Sequence, residues 1–400
     1  MTMENTKKNK VDVIVKYFYP VTAGIETNIM STYRILAKEG WDITIHTSRD
    51  TYTKKNHLPT EEVINGLKIK RYTFTKFGYF PNIDWNTTNA VCLHNFDIFP
   101  HLRILLYVLF KKLTGQKHFA TFLTPHGGYN PEWKVFSKTE ALIKILYTYT
   151  IGTLLINATV DGVRAVSEWE KIEMAKFGIK TKEIRLISNG LQDEAYENTE
   201  DKVSQEFKDK VASLGKYLVQ IGRIYPIKNF AETIRALPHI HKDINFAIVG
   251  PIQRESYHTL LKNLIRDLNL ENRVFFLGVV NGYEKYYLLK HAQIMVHMAL
   301  WEANCNVVHE AMSQRLPCIV ADSTGMKFQI KNGDNGYILP LDDIAQLSKV
   351  INGIIDNRHG EDIKTMTEKN IAYVNDHSWE KVGLRMGNFY LDYIKHYEQE

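Results

Sequence analysis

Arg223 and Lys228 stand in the run Gln220-Ile221-Gly222-Arg223-Ile224-Tyr225-Pro226-Ile227-Lys228-Asn229, where a β-branched stretch gives way to a helical pattern. Two cations, a glycine that lets a ligand approach the backbone, and free amides at the helix start beyond Asn229 would make a cradle for a diphosphate. Each charge-assisted hydrogen bond in such a cradle is worth roughly 1.5–3 kcal/mol. The same residues also suit a solvated basic loop. A second group is Glu302 and Glu310, within Trp301-Glu302-Ala303-Asn304-Cys305-Asn306-Val307-Val308-His309-Glu310-Ala311-Met312. On one helix this spacing would turn the second carboxylate about 80° from the first. Asn304 and Asn306 read instead as turn and N-cap residues, which puts Glu302 in a loop and Glu310 in the second helical turn. Both carboxylates are then expected at the C-terminal edge of a strand, Ile294–Met298. A carboxylate placed like Glu310 can accept ribose hydroxyls, and amides near Ala303, Asn304, Cys305 and Asn306 could hold a polar ligand. Taken alone, the pair also suits ordinary surface glutamates.

The elements that must position these groups are short β-branched runs alternating with helical patterns. Expected strands are Val11–Tyr17, Asp42–Thr47, Leu67–Tyr72, Ala90–Leu93 and Phe119–Leu123, with helices over Ile25–Lys38 and Leu102–Leu113. A polar, acid-rich break covers Asn189–Lys216. The alternation then restarts with strands at Tyr217–Ile221, Phe246–Val249, Val274–Leu277, Ile294–Met298, Cys318–Ala321 and Tyr337–Leu339. Helices are expected from about Phe230, near Leu260–Asn269 and from about Asn306, and an amphipathic helix from Ser378 to about Tyr397 closes the chain. Repeated βα units imply parallel sheets covered on both faces. The chain therefore reads as α/β, with two Rossmann-like, doubly wound domains facing across a cleft: 1–195, 196–377, and a closing helix 378–400 that returns to the first domain.

Composition narrows the classes. The 400 residues are 44% hydrophobic and 24% charged, ordinary globular proportions that exclude disordered and fibrous chains. Three cysteines, Cys92, Cys305 and Cys318, have no CxxC spacing, which favours a reducing compartment and no metal finger. Met1 to Lys10 is polar and basic, unlike a secretory signal. The apolar stretch Ala141–Val160 carries Lys144, Gly152 and Asn157, so a buried helix is expected in preference to a membrane crossing. A net charge of +5 is too weak to argue for nucleic acid. Its distribution is uneven: residues 1–190 hold 26 Lys or Arg against 17 Asp or Glu, and residues 191–400 hold 24 against 28. A basic front half suits either an anionic surface or uneven solvation. Absent are GxGxxG after the first strand, GxxxxGK[ST], HExxH and GxSxG, which removes the usual apparatus of dinucleotide oxidoreductases, P-loop enzymes, zincins and serine hydrolases.

The order Gly222-Arg223, Lys228, Glu302, seven residues, Glu310-Ala311-Met312 and Pro317 resembles the retaining, nucleotide-sugar-dependent glycosyltransferases of the GT-B fold, family 4. The resemblance extends over most of the chain. Pro20 and Gly24-Ile25-Glu26 match the family's glycine-rich opening loop, with Ala23 in place of its first glycine. Pro125-His126-Gly127-Gly128 matches the histidine loop. Val166-Ser167-Glu168 and Ile187-Ser188-Asn189-Gly190 resemble the strand and turn before the crossover, and Ser378-Trp379 begins the family's closing helix.

By position, the resemblance implies that Arg223 and Lys228 bind the donor diphosphate, that Glu310 binds the ribose, and that Glu302 lies beside the donor sugar at the reacting face. It places Gly24 in a loop that approaches the diphosphate, and His126 against the donor sugar unless it is a plain turn histidine. It implies a hexosyltransferase using a UDP- or GDP-sugar, no cofactor and no metal, and a glycan or lipid-linked acceptor in cell-surface polysaccharide biosynthesis. No nucleic acid partner is implied, and the location is cytoplasmic, at the inner face of the cell membrane if there is peripheral contact. For that contact the candidate is Leu102–Lys112, apolar with basic ends, which equally suits a core helix. The sequence departs from the family at Ala303-Asn304-Cys305, where glycine-phenylalanine-glycine is usual, at Arg315, where glycine is usual, and at Thr324-Gly325-Met326-Lys327-Phe328. These departures bear on donor identity. They also keep two rivals open: a non-catalytic nucleotide- or glycan-binding partner, and a sugar-nucleotide epimerase.

Overall fold

The computed structural model describes residues 8–21, 24–51, 53–128 and 138–399. Ala23 and residues 1–7 of the basic start lie outside them. Two units form. The first joins the chain up to Gly190 with Trp379–Glu400, and the second is Leu191–Ser378. The boundary thus falls a few residues earlier than expected, because Leu191 N donates to His377 O at 2.7 Å and pairs the start of the second unit with its end.

In the first unit an eight-stranded sheet runs, in spatial order, Glu61–Ile64, Leu67–Tyr72, Asp42–Ser48, Lys10–Ile14, Ala90–His94, Ala120–Thr124, Gly162–Ala165 and Glu183–Leu186. All pairings are parallel except that of the edge strand Glu61–Ile64, a hairpin partner the sequence reading lacked. Its exposed positions alternate with half-buried ones, so it offered no buried apolar run. The central strands are buried on both faces: Val11, Val13 and Ile14 are inaccessible to solvent, as are Ala90 and Val91. The closing helix Trp379–Gln399 lays Trp379, Val382, Met386, Phe389 and Tyr390 into this core. Gly190 makes that seating possible, since a Cβ there would come 2.6 Å from the Trp379 ring. The fully buried guanidinium of Arg164 ties the crossover turn to the sheet by donating to the carbonyls of Ile187 and Ser188 and to Oδ1 of Asn28 and Asn189.

Two sequence readings need correction here. The strand before the second half of this unit ends at Ala165, so Val166 and Ser167 form a bend rather than a strand, and Ser167 caps the helix Glu168–Lys176 by accepting from Glu170 N. The stretch 141–160 is helical but not a buried helix. It is Lys138–Tyr147, a π-turn over Thr148–Gly152 and a last helix Thr153–Thr159. The hydroxyls of Thr150 and Thr153 donate to the carbonyls of Leu146 and Thr148, and Thr150 leaves helical φ/ψ altogether, so the register slips there. Leu142, Ile143, Leu146, Tyr149, Ile151 and Leu154 face solvent.

In the second unit six parallel strands run Val274–Gly278, Ile244–Val249, Lys216–Ile221, Ile294–His297, Cys318–Ala321 and Tyr337–Leu339. Numbered along the chain within the unit this is 3-2-1-4-5-6, the doubly wound order. The helix Asn306–Ser313 ends with Arg315 at φ +57°, a left-handed position that explains why glycine would be at home there.

Candidate functional site

The strand order of the second sheet reverses between the parallel neighbours Lys216–Ile221 and Ile294–His297. Loops leaving the carboxyl ends of those neighbours diverge, and open α/β sheets take their ligands at such a point. The first loop carries Gly222, Arg223 and Lys228, and the second carries Glu302 through Asn306. The expected placement at one strand edge therefore holds, and the helix Asn306–Ser313 puts Glu310 in its second turn.

Lys228 closes a single tight turn, Pro226–Lys228, which is held by Gln220 Nε2 donating to the Lys228 carbonyl at 2.6 Å. Its aliphatic stem lies over Gly222, where a Cβ would come 3.3 Å from Lys228 Cδ. Gly222 thus makes room for the lysine itself. The ammonium pairs with Glu302 Oε1, and His297 Nε2 stands 3.2 Å from the same oxygen. Burial pushes the Glu302 carboxyl up, but Lys228 and His297 outweigh it and hold the group down to about 2. Glu302 is therefore an anion at neutral pH, sheltered from water and charge-matched by one lysine.

The Glu302 backbone is fixed on its far side. Its N–H donates to Thr324 Oγ1 at 2.8 Å, and its carbonyl accepts from Thr324 Oγ1 and from Gly325 N, both at 2.8 Å. A Cβ on Gly325 would fall 2.0 Å from the Ala303 carbonyl oxygen. Gly325 thus keeps one close backbone approach that the altered loop needs. Gly325→Ala is expected to destabilise the protein by about 1–3 kcal/mol as the two loops are forced apart, measured as a lowered urea midpoint at unchanged slope.

Gln329, which the sequence reading did not single out, clamps Asn304 and Cys305. It accepts from Cys305 N at 3.0 Å through Oε1, and its Nε2 donates to Asn304 Oδ1 at 2.8 Å and to Cys305 O at 3.2 Å. The Cys305 amide is therefore not available to a ligand. Cys305, not Asn306, occupies the N-cap position, and it does so without a side-chain cap. Ala303 and Cys305 are buried, while Asn304 and Asn306 are half-exposed. Ligand atoms of His297, Glu302 and Cys305 lie within 4.8 Å of one another, close enough to consider a cation. The donor chemistry argues against it: Lys228 already holds the shared carboxylate oxygen, and burial pushes the Cys305 thiol up, away from the thiolate a metal prefers.

Glu310 receives Lys285 Nζ on Oε1 at 2.8 Å, while its other oxygen, Oε2, is buried with no partner. A buried carboxylate oxygen left unpaired is costly, and a ligand hydroxyl would satisfy it.

Two expectations change. Arg223 and Lys228 do not stand in equivalent settings, since Lys228 is paired with Glu302 whereas the Arg223 side chain is exposed and makes no ion pair among the described residues. The helix start beyond Asn229 does not offer free amides. In Phe230–Ala236, Ala231 N donates to Tyr257 Oη and Glu232 N to Asn229 O. The buried Glu232 carboxylate also sits there, accepting from Asn229 Nδ2 and Asp342 N, and takes the place an anionic ligand would have.

Gly24 and His126 belong to the first unit. Gly24 opens the helix Gly24–Lys38, and a Cβ on it would meet nothing within 4 Å, so no internal crowding demands glycine. His126, at φ +52°, shares a hydrogen bond with His94 through Nε2 and the His94 Nδ1 at 3.0 Å; His94 Nε2 meets Tyr33 Oη at 2.8 Å. Burial and then Arg164 hold His126 down to about 3, so it is neutral in use. The following Gly127 N donates to the Glu170 carboxylate, which also accepts from Val166 N, and burial lifts Glu170 to about 7. A sequence signal for Glu170 existed: Ser167 and Glu170 have the spacing of a capping box.

Comparison with known proteins gives a consistent picture. The family profile "Glycosyltransferase Family 4" matches residues 22–195, and "Glycosyl transferases group 1" matches residues 201–372. Among curated proteins, the chain is similar to an Escherichia coli UDP-Gal:alpha-D-GlcNAc-diphosphoundecaprenol alpha-1,3-galactosyltransferase, 28% identical over 54% of this chain and 56% of the relative. A Campylobacter jejuni N-acetylgalactosamine-N,N'-diacetylbacillosaminyl-diphospho-undecaprenol 4-alpha-N-acetylgalactosaminyltransferase is 24% identical over 42% of each chain. The chain thus covers about half the length of the curated relatives it matches. Among solved structures, sucrose-phosphate synthase of Thermosynechococcus elongatus has a TM-score of 0.75 at 17% identity, covering 97% of this chain and all of that one. The Anabaena protein HepE, in complex with UDP-glucose, has a TM-score of 0.72 at 16% identity, covering 95% and 98%. At these identities the likeness shows the fold.

Proposed function

The chain belongs to the group 1, family 4 glycosyltransferases of the GT-B fold, and from that premise we propose that it moves a hexose-type sugar from a UDP- or GDP-sugar to a glycan or lipid-linked acceptor, retaining the anomeric configuration. The observation that carries this reading is the unpartnered, buried Oε2 of Glu310, set on the same sheet edge as the Lys228–Glu302 pair. Glu310 accepts a ribose hydroxyl. Lys228 exchanges Glu302 for the donor diphosphate and stabilises the negative charge that builds as the sugar–phosphate bond breaks. Glu302, an anion beside the reacting carbon, stabilises the positive charge of an oxocarbenium-like transition state. The acceptor hydroxyl attacks from the face the diphosphate leaves and gives its proton to the departing phosphate. No metal is assigned a role. His126, neutral and anchored through Nε2, serves a sugar hydroxyl as a hydrogen-bonding partner and transfers no proton.

The E. coli and C. jejuni relatives are named for diphospho-undecaprenol acceptors. That chemistry supports a lipid-linked acceptor here, a cytoplasmic location at the inner membrane face, and a place in polysaccharide assembly. Titration calorimetry with UDP, GDP and their hexose conjugates tests the reading. Glu310→Ala should weaken the preferred nucleotide roughly tenfold to a hundredfold, since a hydrogen bond to a charged group is lost. Wild-type affinity in that variant would remove the assignment.

A further inference from the structure

We infer that a buried chain of side chains, Tyr390–Tyr33–His94–His126, sets the direction of the hydrogen bond His126 offers its ligand, making Nδ1 a donor to an oxygen of the sugar. The inference deepens the reading of His126 as a sugar contact and rests on it. It adds Tyr33, His94 and Tyr390 as positioning residues. Four elements of the first unit meet here. Tyr33 lies on the helix Gly24–Lys38, His94 ends the strand Ala90–His94, His126 follows the neighbouring strand Ala120–Thr124, and Tyr390 comes from the closing helix. Tyr390 Oη is 2.8 Å from Tyr33 Oη, Tyr33 Oη is 2.8 Å from His94 Nε2, and His94 Nδ1 is 3.0 Å from His126 Nε2. Tyr33, His94 and Tyr390 are buried, and His126 is half-exposed.

Each link of such a chain carries one proton, so the direction of one link fixes the others. Burial keeps both imidazoles neutral, and each ring therefore has one N–H and one bare nitrogen. If both rings carried their proton on Nε2, His126 would donate to His94, His94 to Tyr33, and Tyr33 to Tyr390. The Tyr390 hydroxyl would then be left with the adjoining Cys92 thiol, a weak acceptor. In the opposite order Tyr390 donates to Tyr33, Tyr33 to His94 Nε2, and His94 Nδ1 to His126 Nε2. Every buried proton then has a strong acceptor, and in a buried network that difference decides the order. The remaining proton is on His126 Nδ1, which has no partner among the described residues.

The loop itself is built to keep this donor in place. His126 has a left-handed φ of +52°, and the next amide, Gly127 N, is held by the Glu170 carboxylate. Backbone and ring are anchored at separate points, and the Nδ1–H is what the ring has left to offer. It selects an oxygen with a lone pair to give, and a sugar presents hydroxyl and ring oxygens of that kind. The closing helix does more than pack against the sheet, since it brings the hydroxyl that heads the chain.

NMR of the full chain, labelled with heavy nitrogen at histidine only, reads the tautomers directly, the two signals being assigned by their loss in His94→Asn and His126→Asn. Expected are Nδ1–H tautomers for both rings. Tyr33→Phe should leave the rings with mixed tautomers. Both Tyr33→Phe and His94→Asn should lower kcat/KM for the sugar nucleotide about threefold to tenfold, while the affinity for free UDP or GDP stays at the wild-type value. An Nε2–H tautomer on either ring of the wild type, or wild-type kcat/KM in both variants, would each overturn the inference and leave the sugar contact standing. That contact is read separately in His126→Ala, which should lose more kcat/KM than Tyr33→Phe. Undiminished transfer by His126→Ala would remove the contact, and the inference with it, whatever the tautomers.

Discussion

Lys228→Ala will lower kcat/KM for the sugar nucleotide by roughly two to three orders of magnitude and destabilise the second unit by about 3–5 kcal/mol. The two losses have one origin. In the unliganded protein Lys228 is the cation that matches the Glu302 carboxylate, which is mostly buried and held down to about 2. Removing it strands a charge that His297 alone must meet, and His297 is itself kept from protonation by burial. In the reaction, Lys228 is the assigned counter-charge for the leaving diphosphate. The double variant Lys228→Ala/Glu302→Gln separates the two roles. Its stability should return towards the wild type, because no unpaired charge is left, while its turnover stays low. Glu302→Gln alone should bind UDP or GDP more tightly than the wild type, since Lys228 no longer has to leave a partner. Urea unfolding and steady-state transfer read the two properties independently. A double variant no more stable than Lys228→Ala would show that the pair is not coupled in this way.

Much of this site was legible because each part depends on local chemistry. Gly222, Lys228, Glu302 and Glu310 lie just beyond buried strands or on the helix after one, and strands such as Tyr217–Ile221 announce themselves by unbroken apolar composition. What the sequence could not convey were side-chain partners distant in the chain. The Lys228–Glu302 pair spans 74 positions, and Gln329 reaches back 24 residues to the Cys305 amide. Arg223 was read as the twin of Lys228 because both carry a positive charge. In the structure the lysine stem lies over Gly222 and its ammonium pairs with Glu302, while the Arg223 side chain is exposed. The helix start after Asn229 looked empty because nothing local in the sequence marks Glu232 as buried. It is in fact buried and bonded to Asn229 and Asp342. The stretch 141–160 misled for a different reason. Apolar composition reports that water is avoided, but does not say whether protein or lipid replaces it.

Acid will unfold the protein through its buried histidines, and the loss will begin near pH 6.5, well above the carboxylate range. In the first unit burial holds His101 down to about 4 and His126 to about 3, and it drives His94 well below its ordinary value, with the neighbouring His126 and Arg164 adding to the shift. In the second unit burial, then His377, hold His309 at about 3. The sign follows from linkage. A histidine whose folded value lies below its unfolded one contributes stability above about pH 6.5, and that stability is lost as pH falls and the unfolded chain takes up the proton first. By about pH 5 each such histidine has given up about 2 kcal/mol. Glu170 works in the opposite direction. Its folded value of about 7 means the native state binds a proton before the unfolded one, so acidification from about pH 7 to 4.5 returns a share of the loss. Glu302 adds to the loss only below about 4.5, where its unfolded counterpart protonates. Urea titrations at steps from about pH 7 to about pH 5 should therefore show a midpoint that drops steeply, with a net loss of several kcal/mol. His101→Leu should reduce the slope by about one proton without touching nucleotide binding, because His101 lies in the first unit and Glu310 in the second. A midpoint flat over that range would mean that these imidazoles take up protons in the folded state as readily as in the unfolded chain, and the neutral role given to His126 would fall with them.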